Sequence, residues 1–415
     1  MHAIFRDAIY ALRKLTKSPG FTFLAVVTLA LGIGLNSAVF SVVNAVLFRP
    51  LPVESPGELV NIYTEEQSGS FTYSAIAFPD YLDLIEQSRS FEQLAAYTSS
   101  GLILEHGEKS EGVLGEVVSG NYFDLLGVEA ALGRTLTVAD DRPGGGQQVA
   151  VLGYSAWQRR FGGDPGIVGQ DVRLNGHLFQ VVGVAPPSFF GMLRGIAAEV
   201  WIPMRTSSVV NAGSISNWGN PTEGLDRLED RARRWHFIVG RLAEGVSAER
   251  ARAEVAALGA RWQEEYPVTN ENRFFTLLPT NQVRVWPGLD QALYTASFVV
   301  MGIVALVLLI ACANLANMLL ARAVARRKEM ATRLALGASR GAIIRQLLIE
   351  SLTLSLLGGG VGILVALASN AGIERLQLPF PVDLTLGLAL DYRVALFTLA
   401  MSSLAAIVFG LAPAF

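Results

Sequence analysis

The sequence predicts an α-helical membrane protein with four transmembrane helices plus an α/β (α+β) extracytoplasmic domain inserted between helices 1 and 2. Three observations carry that reading. Four stretches, 18–48, 291–321, 351–373 and 394–415, contain no Asp, Glu, Lys or Arg. Each is long enough for the roughly 20 apolar residues that cross a bilayer as a helix. The charge between them is sorted. Residues 1–20 carry Arg6, Arg13, Lys14 and Lys17 against Asp7, and residues 322–350 carry seven Lys/Arg against two Glu. Residues 49–290 carry 30 acids against 20 bases. Cationic loops resist translocation, so the N-terminus and 322–350 are expected in the cytoplasm, 49–290 and 374–393 outside, and the C-terminus inside. The segment 49–290 also mixes two-residue and 3.6-residue apolar periods, the mark of strands together with helices.

Composition narrows the function. An acidic outer domain argues against a nucleic-acid partner. The only cysteine, Cys312, lies in the second charge-free stretch, so the outer domain folds without a disulfide. A domain of that size buries enough surface to do so. The first charge-free stretch is about twice the apolar core of a secretory signal peptide and reads as a retained anchor.

Taken in order, residues 1–20 form a cytoplasmic amphipathic helix. Ile4, Phe5, Ile9, Leu12 and Leu15 fall near one face and the cations largely elsewhere, a pattern suited to the lipid surface. Ser18-Pro19-Gly20 breaks it before the first span, 21–48. That span carries Gly32, Gly34, Asn36, Ser37, Ser41 and Asn44, a small and polar stripe that faces other helices. In the outer domain, strands are predicted at Leu59–Thr64, Val149–Leu152, Trp235–Leu242 and Phe274–Leu278. Helices are predicted at Phe78–Gln87, with Pro79 in its first turn, at Tyr154–Phe161, and from a Ser247 cap to about Tyr266. Asn175-Gly176 between apolar alternations is a tight hairpin in Val172–Val184. The β–α–β order of 235–278 repeats that of 59–104, with a strand-rich insert at about 110–205 between them. Residues 206–234 read as a mobile loop.

The second span, 291–321, places Asn314 and Asn317 one turn apart, and the third, 351–373, contains Gly358 and Gly362. With Asn36, these are the expected helix-packing residues. Between the two spans, 322–350 reads as a pair of short amphipathic helices broken near Gly337–Ser339. A short outer loop, 374–393, precedes the fourth span, 394–415. No basic tail follows it, and the chain is read as a fragment or as half of something longer.

No catalytic set is found. The G-x-x-x-x-G-K-[ST] phosphate loop is absent, as are H-E-x-x-H and a G-x-S-x-G elbow. Glu105-His106-Gly107-Glu108 lacks companion metal ligands. Asp140-Asp141 and Glu65-Glu66 read as solvated loop charges. No cofactor is expected.

Long segments resemble the MacB/FtsX-type permeases of ABC transporters. They are LALGIGLNSAVFSVVNAVLFRPLP, VVSGNYFDLLGVEAALGRTLT, VAVLGYSAWQRRFGGDPGIVGQDVRLNGHLFQVVGVAP and ARRKEMATRLALGASRGAIIRQLLIESL. The N-terminal RDAIYALRKLTKSPGFTFLAVVTLALGIG further resembles the duplicated orphan permeases, of which this would be the first four-span half. The resemblance implies a MacB-like periplasmic core domain at 49–290 and a separate ABC ATPase subunit. That ATPase would dock on a coupling segment with Arg326, Glu329, Arg333, Leu336, Gly337, Ala338 and Arg340 at its centre. It further implies a second permease unit (the duplicated half or a homodimer), an extracytoplasmic adaptor, and residence in the bacterial inner membrane. The expected output is export driven by the ATPase. The alternative is mechanical regulation of an outer partner, such as a cell-wall hydrolase, with no cargo.

The charge sorting is directly testable. In a Cys312→Ala background, a cysteine at Asp171 should react with an impermeant thiol reagent in intact cells. One at Ser339 should react only after permeabilisation; equal labelling from outside would refute the topology.

Overall fold

The computed structural model describes residues 13, 15–48, 51–66, 73–107, 109–144, 146–193, 196–210, 228–325, 340–375, 385–386 and 392–411. Two compact units emerge: a helical one (Met1–Phe48, Ala292–Leu376, Leu388–Phe415) and a sheet-based one (Arg49–Gln291, Gln377–Gly387). The expected surface helix at 1–20 falls almost wholly outside the described residues. The first span begins at Pro19, whose missing N–H costs nothing in a first turn. It runs as α1 (Pro19–Val43) and ends in a π-helical turn, Asn44–Phe48, where a single α-helix was expected.

The sheet unit contains β1 (Leu59–Glu66), β2 (Tyr73–Ser74), β3 (Ile76–Ala77), α2 (Phe78–Gln87), β4 (Phe91–His106) and β5 (Lys109–Val118). It continues with α3 (Tyr122–Leu126), β6 (Leu132–Gly133), β7 (Val149–Leu152), α4 (Tyr154–Phe161), β8 (Asp171–Leu174) and β9 (His177–Val184). Then follow β10 (Ile196–Ala197), β11 (Val200–Pro203), β12 (Arg234–Leu242), α5 (Ala248–Glu265), α6 (Pro267–Asn270) and β13 (Arg273–Pro279). The helices at Phe78–Gln87 and Tyr154–Phe161 and the strand at Val149–Leu152 match the sequence prediction residue for residue. The Ser247 hydroxyl accepts the Arg250 N–H at the start of α5, as a cap should.

The two β–α–β repeats interleave. Strand order at one end of the 12-stranded sheet is β13-β1-β12-β4, every neighbour antiparallel. That is the split β-α-β arrangement, in which each repeat leaves a gap that a strand of the other fills. The sheet then continues through β5, β11, β7, β9 and β6, so the insert extends the same sheet. Alternation along each strand feeds two cores. Val60, Ile62, Ala96, Ile238, Val117 and Val200 pack with Leu84, Val255 and Trp262 of α2 and α5. Leu59, Ala95, Tyr97, Val239, Val118 and Trp201 pack on the other side with Tyr122 and Phe123 of α3 and with Phe189. Gly259 lets α5 approach closely, because a Cβ there would sit 2.7 Å from the Phe275 ring.

Two expectations for this unit are corrected. Residues 206–210 and 228–234 are not loose ends of a mobile loop: Thr206, Val210 and Leu228 are buried. Arg231 pairs with Asp80 and Asp83 and lies 3.8 Å from the Tyr266 ring centroid. Residues 211–227 of that segment lie outside the described residues. Nor is the Asp140-Asp141 pair solvated. Asp140 forms a capping box with Thr137 and a two-pronged pair with Arg134 at 2.6 and 2.9 Å. Asp141 accepts the Gly120 and Arg205 N–H groups, and burial pushes its pKa up to about 6. Glu65 and Glu66 lie within β1, in register with Phe274 and Arg273 of β13.

The helical unit contains α1, α7 (Pro287–Ala325), α8 (Arg340–Arg375) and α9 (Tyr392–Leu411); β14 (Thr385–Leu386) lies between the last two in sequence. Among the described residues, three helices are long and apolar enough to cross a membrane: Pro19–Phe48, one within Thr280–Met318, and Leu348–Asn370. The expected fourth span is a shorter apolar helix, Tyr392–Ile407. The 374–393 loop is not wholly separate from the sheet unit, because its β14 pairs with β10 (Ile196↔Leu386). The rest of that loop, apart from the helix ends at 374–375 and 392–393, lies outside the described residues.

The hairpin at Asn175-Gly176 sets a sharp test of the sheet unit. Both residues have positive φ (48° and 82°), and β8 pairs β9 with Leu174 opposite His177. Asn175 also accepts the Ile103 N–H at 2.7 Å and donates to the Val210 carbonyl at 2.6 Å. Replacing both residues with Val should destabilise a 53–288 fragment by about 3 kcal/mol or more, from forced φ and lost hydrogen bonds. Urea unfolding measures this, and an unchanged midpoint would refute the turn's role.

Candidate functional site

The helical unit is organised on one face of α1. Ala25, Leu29, Ile33, Asn36, Ser37, Ser41 and Asn44 recur every three or four residues along it and are all buried. Each of the three other described helices meets this face. Against α8 the approach is backbone to backbone. A Cβ on Gly34 would lie 2.8 Å from the Gly362 carbonyl oxygen and 2.8 Å from the Val365 Cβ. One on Gly358 would lie 2.6 Å from the Leu29 Cβ. Against α7, the Asn36 Nδ2 donates to the Val304 carbonyl at 2.9 Å, while also donating to Gly32 in its own helix at 2.8 Å. Against α9, the Ser37 and Thr398 hydroxyls share a 2.7 Å hydrogen bond. At the π-helical end, Arg393 at the start of α9 donates to the Phe48 carbonyl, and Phe40 stacks on Phe397 with centroids 4.2 Å apart.

The predicted packing residues are therefore sorted by the structure. Asn36, Gly358 and Gly362 sit in this seam. Asn314 and Asn317 are exposed on α7. Their one-turn spacing signalled a polar stripe, but not which way the stripe points. Gly34, Ser37, Thr398 and Arg393 join the seam. The first two lay in the small-residue stripe of the sequence; the other two carried no periodic signal.

Of the predicted coupling residues, Arg326, Glu329, Arg333, Leu336, Gly337 and Ala338 lie outside the described residues. Arg340 begins α8. The second of the two expected short helices is thus the first turns of a helix that runs unbroken from Arg340 to Arg375. The apolar residues after Gly337–Ser339 merge with the third span because no helix breaker separates Arg340 from Glu350. Glu350 is buried within α8.

In the sheet unit, the buried acids are sealed in structural roles. Glu116 accepts from the Tyr122 hydroxyl (2.8 Å), the Trp201 indole (2.7 Å) and the Met192 N–H (3.1 Å). Burial pushes its pKa above the usual carboxylate range, against those three donors. His236 is fully buried, and desolvation lowers its pKa to about 3, so it is neutral at physiological pH. Among the described residues no group of three His, Cys, Asp or Glu side chains is placed to hold a metal. The arrangement is suited to holding helices in register.

The Gly34 crossing predicts a contrast within one bundle. Gly34→Val should destabilise the helical unit by about 1–3 kcal/mol, since the clash is with backbone that cannot move aside. Gly360→Ala should be tolerated, because nothing lies within 4 Å of its Cβ. Thermal unfolding in detergent compares the two; equal melting temperatures would refute the close crossing.

Comparison with known proteins matches two families to successive parts of the chain. Residues 22–258 match the MacB-like periplasmic core domain family, and residues 301–415 match the FtsX-like permease C-terminal family. The macrolide export ATP-binding/permease protein MacB of Salmonella paratyphi A is 25% identical over 268 residues, 64% of this chain. That match spans 36% of the relative, so the chain corresponds to about a third of its length. The ABC transporter permease YknZ of Bacillus subtilis is 22% identical over 87% of this chain and 83% of its own. Among solved structures, the periplasmic region of MacB from Actinobacillus actinomycetemcomitans covers 55% of this chain and 91% of its own at 18% identity, with a TM-score of 0.38. A family match over more than half of the chain, joined to a second family match over its remaining helices, makes it a member of the MacB/FtsX-type ABC transporter permease family.

Proposed function

We propose that the chain is a non-enzymatic permease subunit that transmits the motion of a separate ABC ATPase across the bacterial inner membrane to its outer domain, in the service of export. The observation that carries this reading is α7. It is one unbroken helix from Pro287 to Ala325, about 58 Å long at 1.5 Å per residue. Its first turn is pinned by Asp290, whose carboxylate accepts the N–H groups of Arg284, Val285 and Trp286 at 2.8, 2.9 and 3.2 Å. Trp286 in turn packs edge-on against Tyr63 and Phe237, ring centroids 6.2 and 5.1 Å away. In sequence, the basic segment 326–350 follows its last described residue, Ala325. A long helix that follows the sheet-forming residues in sequence and precedes a cationic segment favours mechanical coupling over a diffusing-ligand mechanism.

In this reading, 49–290 and 374–393 are outside and 322–350 inside. The four apolar segments all span, α9 as the fourth, and 326–345 receives the ATPase. A second permease unit, either a duplicated half or another copy, completes the pore-forming or force-bearing pair. An extracytoplasmic adaptor continues the path outward. The same rod would also serve a device that regulates an outer partner, such as a cell-wall hydrolase. ATP-dependent efflux from inverted vesicles separates the two, since only export moves cargo.

The docking assignment is tested in the membrane. Glu329→Lys and Gly337→Leu should each reduce co-purification of the ATPase at least about tenfold, because reversing a charge or breaking a turn in a contact costs on the order of 1.4 kcal/mol or more. Insertion should be unaffected, since neither residue crosses lipid. Crosslinkers placed between 326 and 345 should capture the ATPase in the wild type; normal complex formation by both variants removes the assignment.

A further inference from the structure

The insert carries a cationic pocket that the transmission reading does not use. It is a cavity of about 230 Å³ lined by Leu104, His106, Lys109, Glu111, Arg159 and Arg160. Three elements converge there: the end of β4, the start of β5 and the last turn of α4. The arginines are held in place from behind. Glu199 is fully buried, and its two carboxylate oxygens are divided between them, Oε1 to the Arg159 Nη2 at 2.6 Å and Oε2 to the Arg160 Nε at 2.8 Å. A buried carboxylate shared by two guanidinium groups fixes their planes, so less side-chain entropy is lost when they meet a ligand. Arg160 is nearly buried and also pairs with Glu111 at the rim; the Arg159 side chain is 47% exposed. The His106 ring is fixed against Phe161, centroids 4.5 Å apart. Lys109 is exposed beside it.

We infer that this pocket binds a phosphate group, free or carried by a small organic phosphate. Three permanent cations face the cavity (Lys109, Arg159, Arg160), against Glu111 at the rim and Glu199 behind. Among the described residues that line or back the cavity, three cations stand beside two carboxylates. Three cationic donors on two elements suit a tetrahedral oxyanion, whereas a planar carboxylate is satisfied by one guanidinium fork. The volume fits a phosphate or a glycerol-sized phosphate and is below the range of drug-sized pockets. Glu111 is the built-in competitor: it occupies Arg160 until the ligand's oxygens displace it.

The test uses the full chain in maltoside micelles, in phosphate-free buffer of constant ionic strength, titrated calorimetrically with inorganic phosphate and with glycerol 3-phosphate. Saturable binding of either is expected. Equal affinities assign recognition to the phosphate group alone, and tighter glycerol 3-phosphate assigns it to an organic phosphate. Lys109→Ala and Arg159→Ala should each weaken binding about tenfold, the worth of one charge-assisted hydrogen bond. Glu111→Gln should tighten binding severalfold, a gain that misfolding cannot imitate. No saturable binding of either probe, or equal affinity across all three variants, would overturn the inference.

Discussion

The helical unit depends on the contact between α1 and α8 at Gly34. Lipid tails are as apolar as the leucines that face them, so no hydrophobic force brings helices together inside a bilayer. Association must come from dispersion between surfaces that fit and from a few interhelical hydrogen bonds. Gly34 and Gly362 remove the side chains that would hold the two backbones apart. Once α1 is placed, Asn36 reaches the Val304 carbonyl of α7 and Ser37 reaches Thr398 of α9. Each such bond contributes on the order of 0.6 kcal/mol, so none of them alone fixes the bundle. The glycine crossing does, and the polar bonds choose the rotation of each neighbour around it.

A different principle builds the outer unit. There the sheet buries both faces, and strands such as β11 alternate Val200 and Ile202 toward one core with Trp201 toward the other. Interleaving of the two β–α–β repeats means that neither has a complete sheet alone. Buried charges then tie distant segments together. Asp80 of α2 meets Arg231 and Asn270, from the two sides of β12 in sequence, while Glu116 joins β5 to the segment holding Met192. Burial raises the pKa of both carboxylates, and their hydrogen bonds offset part of that cost. These groups set how the loops lie on the sheet; they are not poised for proton transfer.

Much of this was legible in the residues. Local signals with a local cause were read correctly: Pro79 opening α2, the Ser247 cap of α5, and the positive-φ pair Asn175-Gly176. The errors share a cause as well. Residues 228–234 looked like loop because Arg231, Arg233 and Arg234 are polar, yet Arg231 is positioned by Asp80 and Asp83, about 150 residues earlier in sequence. Asp140 and Asp141 looked solvated because their partners, Arg134 and the N–H groups of Gly120 and Arg205, meet them only in the folded chain.

The sequence by itself determined which segments are apolar, how charge is sorted between them, and the family to which the chain belongs. Those properties follow from local composition, charge and residue order. Only the tertiary structure decided that the two repeats interleave as β13-β1-β12-β4, that Gly34 is at the helix crossing, and that Arg159 and Arg160 share one buried glutamate. Each of these is a pairing of residues distant in sequence, chosen by shape and charge after the chain has closed upon itself. A one-dimensional pattern records the candidates for such pairs but not the partner each one finds.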